Sequence, residues 1–120
     1  VKQVLTREEL LAMQADVRAV QTGDALLDYI TRLTMASREH PNVEVGVSPR
    51  GALLLCRMAK ARAYLLGRAF AVSEDVQAVF EPVCAHRLIV SAKARLAGVH
   101  AADVVRELLA DVPNPDRAAL

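Results

Sequence analysis

Arg50 is the residue whose position in this sequence most clearly suggests chemistry. It follows Ser48 and Pro49, a pair that predicts a helix start because serine favours the N-cap and proline suits the first helical position. A cation in the first turn is locally unfavourable by about 0.3 to 1 kcal/mol, since that end of the helix dipole is positive. An arginine that breaks this local rule is a candidate functional residue. With exposed backbone N–H groups beside it, and with Gly51 permitting close approach, its guanidinium could bind a phosphate or another anion.

Other basic residues on the same predicted helix leave a second interpretation open. Residues 48–72 carry five basic and no acidic side chains. At about 100° per residue, Arg50, Arg57 and Arg68 fall within one stripe, and Lys60 lies beside it. We interpret Arg57 and Arg68 as parts of a solvated face. The alternative function is a free-standing helical interaction module that binds an acidic protein or nucleic acid through this stripe, with an affinity that falls steeply with salt.

The sequence lacks the motifs of a self-contained enzyme, such as a phosphate-binding G-x-x-x-x-G-K-[ST] loop, G-x-G-x-x-G, H-E-x-x-H or G-x-S-x-G. Cys84 and His86 are two residues apart, which on a helix directs them about 200° away from each other. We therefore expect neither a metal site nor a cysteine–histidine nucleophile pair there. Two cysteines are too few for a disulfide framework and favour a reducing compartment such as the cytoplasm.

Composition narrows the class of protein further. The 120 residues are 53% hydrophobic, which excludes disorder and fits one domain. Fifteen basic and fourteen acidic side chains leave a net charge of +1, which argues against a surface that coats nucleic acid or membranes. No apolar run is long enough to cross a membrane. The chain does not begin with methionine, so we expect a piece of a longer protein.

Apolar residues recur at helical spacing along most of the chain, which predicts that helices position Arg50. Thr6 opens a T-x-x-E capping box. The pattern predicts helices over 7–20, 24–38, 49–66 and 104–112, a strand-like segment at 43–45 and a loop over 91–98. A further helix is predicted after a Ser73 cap, with Pro82 interrupting it and opening a separate turn. The expectation is an all-α bundle of four to six helices over residues 6–112, preceded by a linker at 1–5 and followed by a tail at 113–120.

Several segments together resemble one known family. The stretch V-G-V-S-P-R-G over residues 45–51 resembles the G-x-S-P-R-A signature in the C-terminal lid of MoxR-type AAA+ ATPases. Four more segments match in order and spacing, namely L-L-D-Y-I at 26–30, S-R-E-H-P at 37–41, G-R followed by V-S-E-D-V over 67–76, and A-H-R-L at 85–88. The resemblance extends from about residue 5 to residue 115.

The resemblance implies a lid that closes over ATP while an α/β core outside this chain carries the phosphate loop and binds Mg²⁺. The sensor 2 arginine, which reaches the γ-phosphate in such enzymes, corresponds to Arg50 within the motif that contains Ser48 and Pro49. Tyr29 and Ile30 fall where the family's lid lies close to the adenine, and a purely core role is the alternative for both residues. The chain alone is expected to be inactive, and no metal ligand is expected within it.

The resemblance also implies partners for the longer protein. These are the AAA+ core of the same polypeptide, neighbouring subunits of a hexameric ring and a von Willebrand factor A-type protein. The parent would hydrolyse ATP in chaperone-like remodelling or maturation of another protein in the cytoplasm.

Three residues depart from the family pattern: Gly51 replaces alanine, Ser37 replaces threonine, and His100 replaces a capping serine or threonine. For Arg38 we favour a structural salt bridge within the lid over a contact with a neighbouring subunit.

Overall fold

The computed structural model describes the backbone of residues 1–118 and the side chains of residues 1–116. Helices dominate this part of the chain, which confirms the all-α prediction. The elements in chain order are α1 (Arg7–Ala19), α2 (Asp24–Glu39), β1 (Val43–Val45), α3 (Pro49–Leu65), α4 (Ser73–Cys84), a 3₁₀ turn (Ala85–Arg87), β2 (Ile89–Val90), α5 (Ala92–Leu96), α6 (Ala101–Asp111) and α7 (Pro115–Ala118).

Local sequence signals explain the start of α1 and both ends of α3. The Glu9 backbone N–H donates to Thr6 Oγ1 over 3.1 Å, and the Thr6 N–H donates to Glu9 Oε1 over 3.2 Å, so the predicted capping box is present. Helix α3 begins at Pro49 as predicted, and Gly67 follows its end with a φ of +80°. That left-handed conformation suits glycine, which lacks a Cβ.

Two predictions around α4 were wrong. Ser73 is the first residue of the helix, and Val72 holds the N-cap position. Pro82 neither interrupts the helix nor opens a separate turn, because α4 runs through it to Cys84. The Pro82 side chain is exposed, and a proline near the end of a helix removes only one hydrogen bond, so neighbouring contacts keep the last turn helical. A 3₁₀ turn follows directly.

The segment predicted as a loop contains regular structure. Helix α5 occupies 92–96, and the Ser91 hydroxyl caps it by accepting the Ala94 N–H over 3.2 Å. Strand β2 immediately precedes it and pairs antiparallel with β1, with Val43 opposite Val90. A strand of two residues has no periodicity that a sequence pattern could reveal.

The core lies between α2, α3, α4 and α6. Leu33, Leu55, Phe80 and Val104, one from each of these helices, are fully buried. Helix α3 packs most extensively on α4, and α1 packs mainly on α3. In contrast to the other long helices, α1 has no buried residue. No helix within residues 1–118 is long and apolar enough to span a membrane.

A buried ion cluster joins the end of α3 to the start of α4. Asp75 is fully buried and accepts hydrogen bonds from Arg62 at 2.7 Å and from both terminal nitrogens of Arg68 at 2.6 and 2.7 Å. The Val72 backbone N–H also donates to Asp75, over 2.8 Å. The interpretation of Arg68 as part of a solvated face was therefore wrong, because its guanidinium neutralises a buried carboxylate.

The tail also contacts the fold. Asp116 accepts a hydrogen bond from the Ser73 backbone N–H, and the single hydroxyl hydrogen of Ser73 is shared between Asp116 Oδ2 and Asn114 Oδ1. The start of α4, which has no side-chain cap of its own, is thus capped by a carboxylate 43 residues away in sequence. The predicted tail covered residues 113–120, of which 119 and 120 lie outside the described residues.

The ion cluster predicts how the free energy of unfolding depends on pH. Burial raises the pKa of Asp75, but the hydrogen bonds from Arg68, the Val72 N–H and Arg62 outweigh burial and lower that pKa from 3.8 to about 2. Because the folded pKa lies below the unfolded one, Asp75 contributes on the order of 2 kcal/mol above about pH 4, and this contribution is lost as the pH falls through about 2.

Urea unfolding measured from neutral pH down to pH 2 tests this expectation. Wild type should lose stability in acid more steeply than Asp75→Asn, which cannot release a proton at this position. Parallel pH profiles of the two proteins would contradict a lowered pKa at Asp75.

Candidate functional site at the start of α3

The turn that leads into α3 is fastened to the end of α2. The Val47 backbone N–H donates to Ser37 Oγ over 2.9 Å, and Arg38 Nε donates to the Val47 carbonyl over 3.0 Å. Ser37 and Val47 are both fully buried, so water does not compete for the first of these bonds. Arg38 thus has a structural role within the domain, but through a hydrogen bond to a carbonyl and not through the expected salt bridge, which is absent among the described residues. These contacts fix where α3 begins and therefore where Arg50 lies.

Close packing disfavours a side chain at both glycines of the motif. A Cβ on Gly46 would lie 2.7 Å from Cα and Cγ of Arg38, and a Cβ on Gly51 would lie 2.7 Å from Val47 Cγ1. The expectation that Gly51 opens space for an anion was wrong. The space beside Gly51 is filled by Val47 and, at 3.4 Å, by Arg87 Cδ.

Most backbone donors of the first turn of α3 are already used or missing. Pro49 has no N–H, the Gly51 N–H donates to Ser48 Oγ over 3.1 Å, and the Ala52 N–H donates to the Ser48 carbonyl over 3.0 Å. For the Arg50 backbone N–H, the described residues provide no hydrogen-bond acceptor. An anion at this helix end would therefore meet one free backbone donor and the Arg50 side chain.

The Arg50 side chain is exposed and makes no hydrogen bond or ion pair with the described residues. Some other arginines differ, since Arg62 and Arg68 bind Asp75 and Arg32 pairs with Asp28 over 2.7 Å, but Arg57, like Arg50, forms no ion pair with the described residues. An unpaired guanidinium on a firmly positioned first turn is available for an anionic ligand.

An open apolar groove between α2 and α3 reaches the same end of α3. We call it the α2–α3 groove; its volume is about 440 Å³, and it is lined by Leu27, Ile30, Thr31, Thr34, Met35, Arg38, Pro49, Ala52, Leu53 and Cys56. Leu27, Met35 and Leu53 are exposed, whereas Ile30 is buried at the groove floor. Tyr29 does not line the groove; it is buried, and its hydroxyl accepts a hydrogen bond from Gln77 Nε2 over 3.3 Å.

The remaining candidates are separated by the fold. Cys84 is buried, and burial raises the pKa of its thiol to about 11, so it is a neutral thiol at physiological pH. His86 is exposed on the 3₁₀ turn.

The basic stripe predicted along α3 is shorter than expected. Arg57 is exposed on α3, but the Arg68 guanidinium forms an ion pair with Asp75 and is not part of an exposed stripe. Residues 1–116 contain no cluster of three metal-ligand side chains.

Sequence reasoning missed two parts of this site. It did not anticipate the clamp on Val47, because the hydrogen bonds run between residues ten and nine positions apart in a loop without periodicity. It also missed the exposed residues of the α2–α3 groove, Leu27 and Leu53, because helical periodicity does not show which apolar residues are left uncovered at the surface.

Comparison with known proteins places this arrangement in a family. Residues 35–108 match the family model described as AAA lid domain, which covers more than half of the chain. The chain is 39% identical over 74 residues to Protein MoxR of Methylorubrum extorquens, covering 61% of this chain and 22% of that protein. It is 28% identical over 123 residues to Chaperone MoxR1 of Mycobacterium tuberculosis, covering 95% of this chain and 33% of that protein.

A solved structure agrees with the sequence relatives. The crystal structure of a Cytophaga hutchinsonii protein designated an ATPase superposes with a TM-score of 0.89 at 25% identity, covering 95% of this chain and 37% of that one. The chain spans about a third of the length of the curated relatives that it matches over most of its own length. The chain therefore belongs to the AAA lid domain family, and its relatives include proteins of the MoxR type.

Proposed function

We propose that this lid closes over ATP bound to the core of its parent ATPase and that Arg50 supplies the sensor 2 contact to the γ-phosphate. The single observation that carries the proposal is the exposed guanidinium of Arg50 in the first turn of α3, without an ion-pair partner within residues 1–116 and fixed by the clamp on Val47. A guanidinium can neutralise charge that develops on phosphoryl oxygens during transfer. Ser48 and Pro49 support this role by setting where the helix starts.

The α2–α3 groove is the proposed position of the adenine. Ile30 forms part of its floor, and Tyr29 lies buried next to Ile30 in the chain, which suits an apolar wall that positions the base. The groove ends at Pro49, directly beside Arg50, so one nucleotide could contact both features. Mg²⁺ would be held by the core, because the residues at this site are apolar, cationic or hydroxyl-bearing and offer no carboxylate ligand.

The proposal extends to the parent protein. Lid closure that depends on the γ-phosphate would couple the nucleotide state to the position of the lid in a ring, hexameric in our proposal. The relative named Chaperone MoxR1 supports chaperone-like remodelling or maturation of a partner protein, for which a von Willebrand factor A-type protein is the proposed partner. We place this activity in the cytoplasm.

A charge introduced into the α2–α3 groove tests the adenine position. Leu53 is 61% exposed, so Leu53→Glu should leave the fold intact while placing a carboxylate against the base and near the triphosphate. In the full-length parent we expect the KM for ATP to rise about fivefold or more, equivalent to about 1 kcal/mol of binding free energy. Steady-state ATP hydrolysis measures this value.

Leu96→Glu is the matched control, because Leu96 is exposed on α5 and lies outside the groove. An equal KM for ATP in wild type, Leu53→Glu and Leu96→Glu would contradict the placement of adenine in the α2–α3 groove.

A further inference from the structure

A second open groove, which Arg50 does not line, lies between α1 and α3. We call it the α1–α3 groove; its volume is about 750 Å³. It exists because α1 packs mainly on α3 and buries none of its own residues fully. Helix α1 is nevertheless well formed, with a capping box at its start, so its apolar side chains are presented on a regular surface.

The floor of the α1–α3 groove is apolar and only partly covered. It is formed by Leu10, Met13 and Val17 of α1 and by Met58, Ala61 and Leu65 of α3. Leu10 is 46% exposed, Met58 is 45% exposed and Leu65 is 73% exposed. Exposed apolar side chains that are scattered singly are ordinary, but side chains contiguous along two adjacent helices mark an interaction surface.

The rim of the α1–α3 groove is cationic. Arg18, Arg57 and Lys60 line it together with the uncharged Gln14 and Tyr64, and no carboxylate does. The Lys60 ammonium donates to the Arg18 backbone carbonyl over 3.3 Å, which places Lys60 beside the C-terminal end of α1, the helix that carries Arg18. Arg57 forms no ion pair within residues 1–116.

The acidic side chains nearest in sequence do not line the groove, although Asp16 lies beside its rim through Tyr64. Asp16 Oδ2 accepts a hydrogen bond from the Tyr64 hydroxyl over 3.3 Å and lies in an adjoining pocket with Ala19 and Arg68, outside the α1–α3 groove. Glu9 accepts the Thr6 N–H in the capping box. Residues 48–72 contribute no acidic group, so the α3 side of the rim is entirely basic or neutral.

We infer that the α1–α3 groove binds an amphipathic helix of a partner protein whose apolar stripe is flanked by carboxylates. Two packed helices present ridges and a groove into which a third helix fits, and such a helix would place apolar residues at i, i+3, i+4 and i+7 on the floor. Its carboxylates would face Arg18, Arg57 and Lys60, which supply specificity and faster association. This inference does not depend on the proposed role of Arg50.

A charge-swap experiment with the 120-residue chain tests the inference. The probe is a fluorescein-labelled synthetic helical peptide of about 14 residues, with leucines on one face and glutamates beside them. Fluorescence anisotropy should show binding that weakens at least tenfold in Arg57→Glu and in Lys60→Glu. A peptide with lysine in place of glutamate should bind wild type poorly and bind the Arg57→Glu/Lys60→Glu variant better than it binds wild type.

Matched controls separate groove binding from other effects. Arg106→Glu reverses an exposed charge on α6 and should bind the glutamate peptide as wild type does. Circular dichroism should show an unchanged fold in every variant. Binding that survives replacement of the peptide leucines by serine, or that does not change in Arg57→Glu and Lys60→Glu, would overturn the inference. So would dimerisation of the chain through this face, seen by sedimentation equilibrium and abolished by Met58→Glu.

Discussion

Replacing Asp75 with asparagine is expected to destabilise the lid by about 3 kcal/mol, because the substitution leaves two arginines at the α3–α4 junction without their buried counter-charge. Arg62 and Arg68 both bind this carboxylate, and their side chains are only 29% and 27% exposed, so water can solvate them only in part. Asparagine would also offer one oxygen acceptor where the carboxylate uses two. Urea or thermal unfolding of the 120-residue chain measures the loss.

Glu74→Gln is the matched control for this prediction. Glu74 is the adjacent acidic residue in the first turn of α4, but it is exposed and makes no ion pair within residues 1–116. Its replacement should change the free energy of unfolding by less than about 0.5 kcal/mol. Equal and small losses in Asp75→Asn and Glu74→Gln would mean that the cluster does not stabilise the fold.

Arg50→Ala is expected to lower kcat for ATP hydrolysis by the full-length parent about tenfold or more, which corresponds to about 1.4 kcal/mol or above of lost transition-state stabilisation. The reason is that the alanine variant cannot neutralise charge on the transferred phosphoryl group. Stability should hardly change, because the exposed Arg50 side chain makes no hydrogen bond or ion pair with the described part of the chain. Steady-state turnover at saturating ATP measures the effect.

Arg106→Ala serves as the control for Arg50→Ala. Arg106 is exposed on α6, a helix that packs on α2 and α4, and its only ion pair among the described residues is a 3.2 Å contact with Asp103. Its removal should leave kcat unchanged. A kcat that falls equally in both variants, or in neither, would make Arg50 an ordinary surface arginine.

Much of this fold could be read from the sequence because its main elements carry local signals. Thr6 and Glu9 mark the start of α1, Ser48 and Pro49 mark the start of α3, and Gly67 marks its end. These signals act within four residues of each other, where hydrogen bonding and steric limits determine the conformation directly. Arg50 was singled out by the same kind of reasoning, from its place in the first helical turn.

The predictions that were wrong concern residues whose surroundings are formed by other parts of the chain. Pro82 was expected to break α4, yet the packed helix continues through it. Arg68 was interpreted as a surface residue, although Asp75, seven positions further on, binds it in the folded chain. Gly51 was expected to let an anion approach the start of α3 closely, but Val47 fills the space beside it. Each outcome depends on tertiary packing, which periodicity and capping rules do not describe.

The central claim, a contact between Arg50 and the γ-phosphate, is tested most directly by comparing nucleotide affinities of the full-length parent. Isothermal titration with a non-hydrolysable ATP analogue and with ADP should be carried out on wild type, Arg50→Ala and Arg106→Ala. We predict that Arg50→Ala weakens binding of the ATP analogue by about tenfold while ADP binding stays unchanged, because ADP has no γ-phosphate. Equal losses for both nucleotides, or no loss for either, would contradict the account.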